Sequence, residues 1–336
     1  MILITGGAGF IGSNLADHFL SRGEEVAVYD NFSRRGVEKN ANWLKERHPE
    51  INILRADTRD FESLRKAAEN ADVIYHTAGQ VAVTTSVANP REDFEINALG
   101  TFNVLEAARA ARTDPIIIFT STNKVYGGME GVKVVEKESR YDYESLPHGV
   151  SESQPLDFHS PYGCSKGAAD QYVRDYARIY GLKSVVFRMS CIYGTRQFGT
   201  EDQGWVAYFT LASVFGWPLR IYGDGRQIRD ILFVSDLVNA FDLATKKISK
   251  TKGDIFNIGG GPENTISLLE LLEYLETLTG RKKEVPFADW RPGDQKVYYS
   301  DIRKAKKAFG WEPKVDKEKG IKILYDWILD NKSLWG

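Results

Sequence analysis

Two groups of residues have the types and the spacing to do chemistry together. The first is a glycine-rich turn near the start of the chain, Gly6, Gly9 and Gly12 within GGAGFIG. Such a turn, placed after an apolar run and before a helix, can hold a phosphate on its backbone N–H groups. The second is Tyr162 followed by Lys166, a phenol and an amine on the same helix face. A phosphate grip and a proton-exchanging phenol are parts of an enzyme that moves hydride.

A phenol needs help to act as a base at neutral pH, because its ordinary pKa is about 10. An ammonium about 4 Å away, at an effective dielectric constant near 20, favours the phenolate by up to about 4 kcal/mol. We therefore expect Lys166 to lower the pKa of Tyr162. Ser121-Thr122 closes an apolar run, and we expect the Thr122 hydroxyl to lie at the carboxyl edge of a sheet, within reach of the reacting oxygen. The alternative is that Thr122 only ends a strand and has no catalytic role.

The type of dinucleotide is indicated by the end of the second apolar run. Asp30 stands where a carboxylate accepts hydrogen bonds from the adenosine ribose, which favours NAD over NADP because a carboxylate repels a 2′-phosphate. Arg34 and Arg35 follow closely and could bind a 2′-phosphate, which is the argument for NADP. Asp57-Thr58 follows the third run and either borders the adenine or lies in a solvated loop.

The elements that must position these groups alternate along the chain. Short apolar runs separated by helical patterns predict an α/β fold, a doubly wound parallel Rossmann sheet of about seven strands in the order 3-2-1-4-5-6-7, with a smaller C-terminal α/β lobe. The predicted strands are Ile2 to Thr5, Val26 to Tyr29, Ile51 to Arg55, Val73 to His76, Ile116 to Thr120, Val185 to Arg188 and Ile255 to Ile258. We predict a dinucleotide-binding domain of residues 1–188 plus about 235–258, and a substrate lobe of residues 189–234 plus 259–336.

The regular alternation is interrupted after the fifth strand. The polar stretch between Gly127 and Pro161 is too long for a simple connector, so we predict a loop or lid near the active site. The last part of the chain returns to helical patterns, and helices are predicted around Leu268 to Thr279 and Ile321 to Leu329. These later segments are expected to build the smaller lobe over the carboxyl ends of the strands.

Composition excludes several classes of partner. The 336 residues include 44 Lys and Arg against 46 Asp and Glu, a formal net charge of -2 that gives no argument for a nucleic-acid or membrane partner. The chain enters its first strand without a basic region or a long apolar segment, so we expect a cytoplasmic protein. Two isolated cysteines and five scattered histidines predict neither a disulfide framework nor a metal site.

Five blocks of the chain form a recognisable set: GGAGFIG, STNKVYG from Ser121, LDFHSPYGCSKGAADQY from Leu156, YGTRQFGTEDQGWV from Tyr193 and FNIGG from Phe256. Together they resemble the extended short-chain dehydrogenase/reductase family of nucleotide-sugar epimerases and dehydratases. The last four blocks resemble in particular the CDP-sugar 2-epimerase branch, and the resemblance runs over essentially the whole chain. It implies that Thr122, Tyr162 and Lys166 form the catalytic group, with NAD held tightly and recycled in each turnover.

The resemblance also implies the binding residues and the assembly. For NAD they are Gly6, Gly9, Phe10, Ile11, Gly12, Asp30, Asn31, Ser33, Arg34, Asp57, Thr58, Ala78, Gln80, Asn97, Tyr162 and Lys166. For the nucleotide sugar they are Thr84, Asn123, Gln203, Arg229, Arg291 and Asp294, with surface ion pairs as the alternative for the two arginines. Helices near Ala88 to Arg112 and Ser160 to Gly181 resemble those that pair at the family's dimer interface, which implies a homodimer or homotetramer.

Departures from the family pattern narrow the expected reaction. Nucleotide-sugar 4,6-dehydratases typically carry an Asp-Glu pair directly after the catalytic threonine. The 4-epimerases usually carry small or apolar residues at those two positions, whereas this chain has Asn123-Lys124. The expected reaction inverts C2 of a CDP-hexose, CDP-paratose to CDP-tyvelose or CDP-glucose to CDP-mannose, by transient oxidation to a 2-keto sugar and hydride return to the opposite face. The alternatives are a UDP- or dTDP-sugar 4-epimerase and a non-catalytic NAD-sensing protein.

Overall fold

The centre of the molecule is a parallel sheet of seven strands, seen in a computed structural model that describes residues 1–291 and 294–335. The strands are β1 Ile2–Thr5, β2 Val26–Asp30, β3 Asn52–Arg55, β4 Val73–His76, β5 Ile116–Thr122, β6 Lys183–Met189 and β7 Ile255–Ile258. They lie in the order β7-β6-β5-β4-β1-β2-β3, and every neighbouring pair is parallel. The predicted α/β fold and strand order are therefore confirmed.

The strands read as continuous apolar runs because helices cover both faces of the sheet. β1, β2 and β7 are buried along their whole length, whereas the edge strand β3 exposes Asn52 and Arg55. Polar residues on an edge strand oppose pairing with another chain. Three strands are longer than predicted, since β2 extends to Asp30, β5 extends to Thr122 and β6 begins at Lys183. Thr122 thus ends β5 itself.

In the described residues, thirteen α-helices accompany the strands. They are α1 Phe10–Leu20, α2 Val37–Arg47, α3 Phe61–Ala68, α4 Val83–Ala88, α5 Pro90–Phe94, α6 Gly100–Arg109, α7 Ser160–Tyr180, α8 Trp205–Phe215, α9 Val234–Lys246, α10 Ile248–Thr251, α11 Leu268–Thr279, α12 Arg303–Phe309 and α13 Lys317–Asp330. The predicted helix from Leu268 has the predicted bounds. The last helix begins earlier than predicted, because Asp316 caps the backbone N–H of Lys319.

One helical layer covers each face of the sheet. On one face, α1, α9 and α12 bury Leu15, Phe241 and Phe309 against the strands. On the other, α6 and α7 bury Leu105 and Val173. Complete burial of one such side chain stabilises the fold by about 1.5–3 kcal/mol, so the two cores hold the carboxyl ends of the strands in place.

A second, smaller group of elements lies beyond the sheet. The strand Ile228–Phe233 pairs with Cys191–Tyr193, Thr265–Ser267 and Val297–Tyr298, and the short strands Ile221–Tyr222 and Phe287–Ala288 pair with each other. A core that includes Ile231, Leu271 and Leu324 joins this sheet to α11 and α13. The predicted boundaries between the two domains stay a prediction.

The segment from Gly127 to Pro161, predicted as a loop or lid, contains an antiparallel hairpin. Its strands are Val134–Glu136 and Tyr141–Tyr143. The Tyr143 hydroxyl donates to the Val297 carbonyl at 2.8 Å, and Arg140 Nε donates to the Glu270 carboxylate at 2.7 Å. The hairpin is therefore fastened to the smaller lobe and contributes to its packing.

The described residues contain neither a membrane-spanning helix nor a cluster of metal-binding side chains. Among the described residues, no helix combines the length and hydropathy needed to cross a membrane. In the same part of the chain, His, Cys, Asp and Glu side chains form no group of three or more arranged to hold a metal ion. Cys164 is exposed and Cys191 is half-buried, and both are free thiols.

Candidate active site

The first turn of α7 brings Tyr162 to the carboxyl edge of the sheet. Ser160 begins the helix with a positive φ of 64°, a conformation that costs a non-glycine residue free energy, and its hydroxyl accepts the Gly163 N–H at 3.2 Å. The phenol of Tyr162 faces the hydroxyl of Thr122 at the end of β5. Both side chains are buried. The structure thus brings together two of the three predicted catalytic residues.

The third, Lys166, lies one turn further along α7 and is 3% exposed. Its ammonium donates to the Thr120 carbonyl at 2.5 Å and lies 4.2 Å from the centre of the Phe119 ring. Burial lowers the pKa of Lys166 to about 7, and the carboxylates of Asp170 and Asp93 oppose that shift. The amine therefore changes its charge easily near neutral pH.

The phenol differs from the sequence expectation. Burial raises the pKa of Tyr162 to about 12, and the Thr122 hydroxyl and the Arg34 charge only partly oppose it. Lys166 does not lower this pKa because its ammonium is directed at the Thr120 carbonyl. In the protein alone, the Tyr162 side chain is a neutral hydrogen-bond donor at pH 7.

A buried polar network under this site joins two predicted cofactor residues, Gln80 and Asn97, to Asp93 and Ser165, which the sequence reasoning missed. Between α5 and α6 the chain forms one π-helical turn, Glu95–Leu99, which carries Asn97. Asn97 and Ser165 donate to the Asp93 carboxylate at 3.1 and 2.5 Å, and Asn97 exchanges hydrogen bonds with the Gln80 backbone at 3.0 and 3.1 Å. Asp93 stands four residues before Asn97, and that helical spacing is the signal that could have indicated the pair.

The glycine turn between β1 and α1 has no room for side chains. A Cβ on Gly12 would lie 2.2 Å from the Gly6 carbonyl oxygen, and one on Gly6, whose φ is 67°, would lie 2.7 Å from the backbone of Ala78. The Gly9 N–H donates to the Gly6 carbonyl at 3.0 Å, which closes the turn before α1 begins at Phe10. Ile11 follows in the first turn of that helix. The N-terminus of α1 is thus open to a close backbone approach by a phosphate.

Asp30 at the end of β2 completes this cradle. Its carboxylate is 8% exposed and accepts the N–H groups of Ala8 at 3.1 Å and Phe32 at 2.9 Å. Burial raises the pKa of Asp30, although these hydrogen bonds oppose the shift. A carboxylate fixed beside a glycine turn, with a helix N-terminus between them, has the donors and acceptors that a dinucleotide needs. The residues present therefore fit NAD.

Four further predicted cofactor residues surround the end of β3. Asn31 donates to the Asp57 carboxylate at 2.8 Å, and the Ser33 N–H donates back to Asn31 at 3.0 Å. Burial raises the pKa of Asp57, but hydrogen bonds from Arg59 and Asn31 outweigh it and lower the pKa to about 2. Thr58 is buried nearby. Asp57 is thus an ordered anion at neutral pH.

The predicted substrate residues fall into two places. Gln203 accepts a hydrogen bond from Arg34, so the structure puts it beside a predicted cofactor residue. Arg229 and Asp294 form an ion pair at 2.6 Å in the smaller lobe. Arg291 lies 3.2 Å from Asp202 and covers the Tyr222 ring at 4.0 Å.

Two predicted substrate residues lie nearer to the sheet. Asn123 is buried directly after Thr122, whose hydroxyl donates to its amide oxygen at 3.4 Å. Thr84 is exposed in α4, and its side chain makes no hydrogen bond with any residue in 1–291 or 294–335. Asn123 therefore lies beside the catalytic group, whereas Thr84 is exposed to solvent.

Comparison with known proteins identifies proteins that are similar to this chain. Residues 3–324 match the family described as GDP-mannose 4,6 dehydratase. The chain is 46% identical to the CDP-paratose 2-epimerase of Salmonella typhi over 333 residues, which are 97% of this chain and 98% of that protein. A UDP-glucose 4-epimerase of Thermotoga maritima, solved with UDP-glucose, superposes with a TM-score of 0.84 at 32% identity, over 98% of this chain and 99% of that one.

The same scaffold also occurs in a dehydratase. The dTDP-glucose 4,6-dehydratase DesIV of Streptomyces venezuelae, solved as a double mutant with NAD bound, has a TM-score of 0.85 at 28% identity. The similarity covers 100% of this chain and 98% of that chain. Epimerases and dehydratases therefore share this fold, and the residues around the sugar must distinguish them.

Proposed function

The chain belongs to the GDP-mannose 4,6-dehydratase family, and within it we propose that it is an NAD-dependent epimerase that inverts C2 of a CDP-hexose. The observation that carries this proposal is the 46% identity to a CDP-paratose 2-epimerase, which extends over 97% of the chain. The proposed substrates are CDP-paratose, giving CDP-tyvelose, or CDP-glucose, giving CDP-mannose. Since both NAD and activated sugars are intracellular metabolites, the proposal includes a cytoplasmic location.

The cofactor is NAD, and the glycine turn, the start of α1 and Asp30 hold it. The turn offers backbone N–H groups to the pyrophosphate, and Asp30 accepts from the adenosine ribose. Lys166 offers an ammonium to the other ribose. Bound NAD supplies a reversible hydride acceptor. The polar network of Asp93 and Asn97 supports the wall of the cleft next to Lys166.

Tyr162 moves the proton of the reacting hydroxyl. The C2 hydrogen of the substrate is not next to a carbonyl, so oxidation at C2 has to come before any change of configuration. The Tyr162 oxygen, once deprotonated, takes the proton of the C2 hydroxyl while bound NAD would accept the C2 hydride, and the Thr122 hydroxyl donates a hydrogen bond to the same oxygen as it becomes a carbonyl. For this step the pKa of Tyr162 must fall from about 12. The charge of Arg34 already acts in that direction, and the positive charge of the oxidised cofactor would add to it.

Inversion requires the ketone to present its other face. The nucleotide must stay bound while the sugar turns about its phosphate linkage, so a firm hold on the diphosphate and a looser hold on the sugar are needed. Arg229, whose guanidinium is paired with Asp294 at 2.6 Å, is the residue proposed to hold the diphosphate, because guanidinium groups suit phosphate anions. Return of the hydride that bound NAD would hold, together with the proton on Tyr162, would then give the inverted alcohol.

A UDP- or dTDP-sugar 4-epimerase is the second candidate, favoured by the 32% identity to the UDP-glucose 4-epimerase of Thermotoga maritima. Asn123 and Lys124 argue against dehydration, since neither is the acid or the base that expels water. The test is to incubate the purified protein with CDP-, UDP- and dTDP-hexoses and to assign the product configuration by NMR. Inversion at C2 with CDP-sugars alone supports the proposal, whereas inversion at C4 of a UDP- or dTDP-sugar contradicts it.

We further infer a homodimer or a homotetramer built from dimers. Apolar side chains stand exposed on the neighbouring helices α4, α5 and α7, which pack against one another. They are Val87, Phe94, Tyr172, Ile179 and Tyr180. An exposed apolar patch of this kind is typical of a surface that a second subunit covers.

A further inference from the structure

Lys124 is a cation beside the catalytic group that the proposed mechanism does not use. It lies two residues after Thr122, in the 3-10 turn Asn123–Tyr126 that leaves the end of β5. The Thr122 hydroxyl accepts the Lys124 N–H at 3.2 Å, so the position of this lysine is tied to that of a catalytic side chain. The side chain is half-buried, which is unusual for a lysine without a carboxylate partner.

The charges around Lys124 do not neutralise it. Arg229, Asp294 and the Cys191 thiol lie within electrostatic range of its ammonium. Asp294 is already paired with Arg229 at 2.6 Å. Within residues 1–291 and 294–335, the Lys124 ammonium makes no hydrogen bond and no ion pair. Burial first, and then the like charge of Arg229, lower the pKa of Lys124, while Asp294 opposes them.

Lys124 and Arg229 repel each other, and the one carboxylate that acts on Lys124 is already paired with Arg229, which leaves a positive charge for a ligand to match. Arg291, the other cation of the substrate region, is paired with Asp202 at 3.2 Å. The proposed substrate carries a diphosphate, and an anion placed between Lys124 and Arg229 would replace their repulsion with two attractions. Lys124 therefore has the surroundings of a phosphate-binding residue.

We propose that Lys124 binds the sugar-proximal phosphate of the substrate and thereby places C2, not C4, of the sugar at Tyr162 and Thr122. This inference rests on the proposed function. The phosphate is joined through oxygen to C1, which is the neighbour of C2, whereas C4 lies across the ring. A cation two residues from Thr122 holds the phosphate close to the reacting centre, and only C1 and its neighbours can then reach Tyr162. Lys124 is thus a specificity-determining residue.

The test compares two nucleotides that differ only in the phosphate concerned. Binding of CDP and of CMP to the NAD-loaded protein is measured by calorimetry for the wild type, Lys124→Met and Lys124→Arg. Lys250→Met is the control, because Lys250 is exposed and its ammonium has no partner in the described part of the chain. We expect Lys124→Met to weaken CDP binding by about 10- to 100-fold, as for a lost charged hydrogen bond.

The expected pattern has three more parts. Binding of CMP to Lys124→Met stays within about threefold of wild type, Lys124→Arg keeps most of the CDP affinity, and Lys250→Met changes neither. An equal loss for CDP and CMP, or no loss for either, overturns the proposal. NAD content and Tm report on folding, and Lys124→Gln takes the place of Lys124→Met if the latter misfolds.

Failure of the proposed function gives a different result. If the wild type binds UDP and UMP in place of CDP and CMP, the cytidine assignment is wrong. The ratio of UDP to UMP affinity in the same variants then tests Lys124 independently of the base. An unchanged ratio in Lys124→Met overturns the role of Lys124 whatever base the protein prefers.

Discussion

Replacing Asp170 with asparagine should destabilise the protein strongly, because Asp170 is half of a buried ion pair beneath the catalytic group. Arg188 donates to its two carboxylate oxygens at 2.9 and 2.8 Å, and the Ser121 hydroxyl donates at 2.7 Å. The carboxylate is 0% exposed and the guanidinium 3%. Asp170→Asn leaves the Arg188 charge buried without a counter-ion, a change that costs about 3–5 kcal/mol.

The assay is thermal unfolding followed by circular dichroism. An unfolding entropy of roughly 2.1 cal/mol/K per residue amounts to about 0.7 kcal/mol/K for 336 residues. The Tm of Asp170→Asn should therefore fall by roughly 4–7 °C. The double variant Asp170→Leu/Arg188→Met removes both charges and should recover most of that loss. A Tm within about 1 °C of wild type for Asp170→Asn, or a double variant as unstable as the single one, would refute this reasoning.

The same substitution should also change the pH dependence of activity. The Asp170 carboxylate raises the pKa of Lys166 against the lowering effect of burial, which brings it to about 7. Without that carboxylate the ammonium loses its proton at a lower pH. Activity that needs charged Lys166 is present below the pKa and disappears above it, so the alkaline limb of the kcat/KM profile should move to lower pH. An unmoved or alkaline-shifted limb contradicts this role of Asp170.

Three further variants test other parts of the account. Tyr162→Phe should keep its NAD and lose epimerase activity by about 10²- to 10⁴-fold, and full retained activity would remove the phenol from the mechanism. Gly12→Ala should lower the NAD content of the purified protein, because its Cβ would lie 2.2 Å from a backbone oxygen of the same turn; unchanged NAD content contradicts the cradle. The double variant Phe94→Asp/Ile179→Asp should halve the mass in light scattering, whereas Phe287→Asp, equally exposed but elsewhere, should not; a wild-type monomer contradicts the interface.

The sheet could be predicted from the sequence because its strands are buried on both faces. Continuous apolar runs such as Ile255–Ile258 and the glycine turn have few other interpretations. Strand ends were less certain, since Ser121 and Thr122 are polar and yet pair within β5. Their hydroxyls find partners in the folded protein that no local pattern indicates, as Ser121 does with Asp170. The hairpin at Tyr141–Tyr143 was missed because its stability comes from contacts with the smaller lobe.

The catalytic residues could be predicted by type and spacing, but not their electrostatics. Tyr162 and Lys166 are four residues apart, and the sequence predicted a direct effect of one charge on the other. Folding instead buries the phenol and turns the ammonium to the Thr120 carbonyl. The Asp93 carboxylate, on another helix, raises the pKa of Lys166. The folded chain brings these two residues near each other, and their spacing in the sequence does not indicate it.

The central claim is that configuration at C2 is inverted by removal and return of the same hydride. The most direct test incubates the purified protein with CDP-paratose, and with CDP-glucose, in deuterated water without added cofactor, and follows C2 by NMR. The account predicts inversion at C2 with no deuterium incorporated there. Inversion with deuterium at C2 would show that a solvent proton is taken up, and would contradict the account.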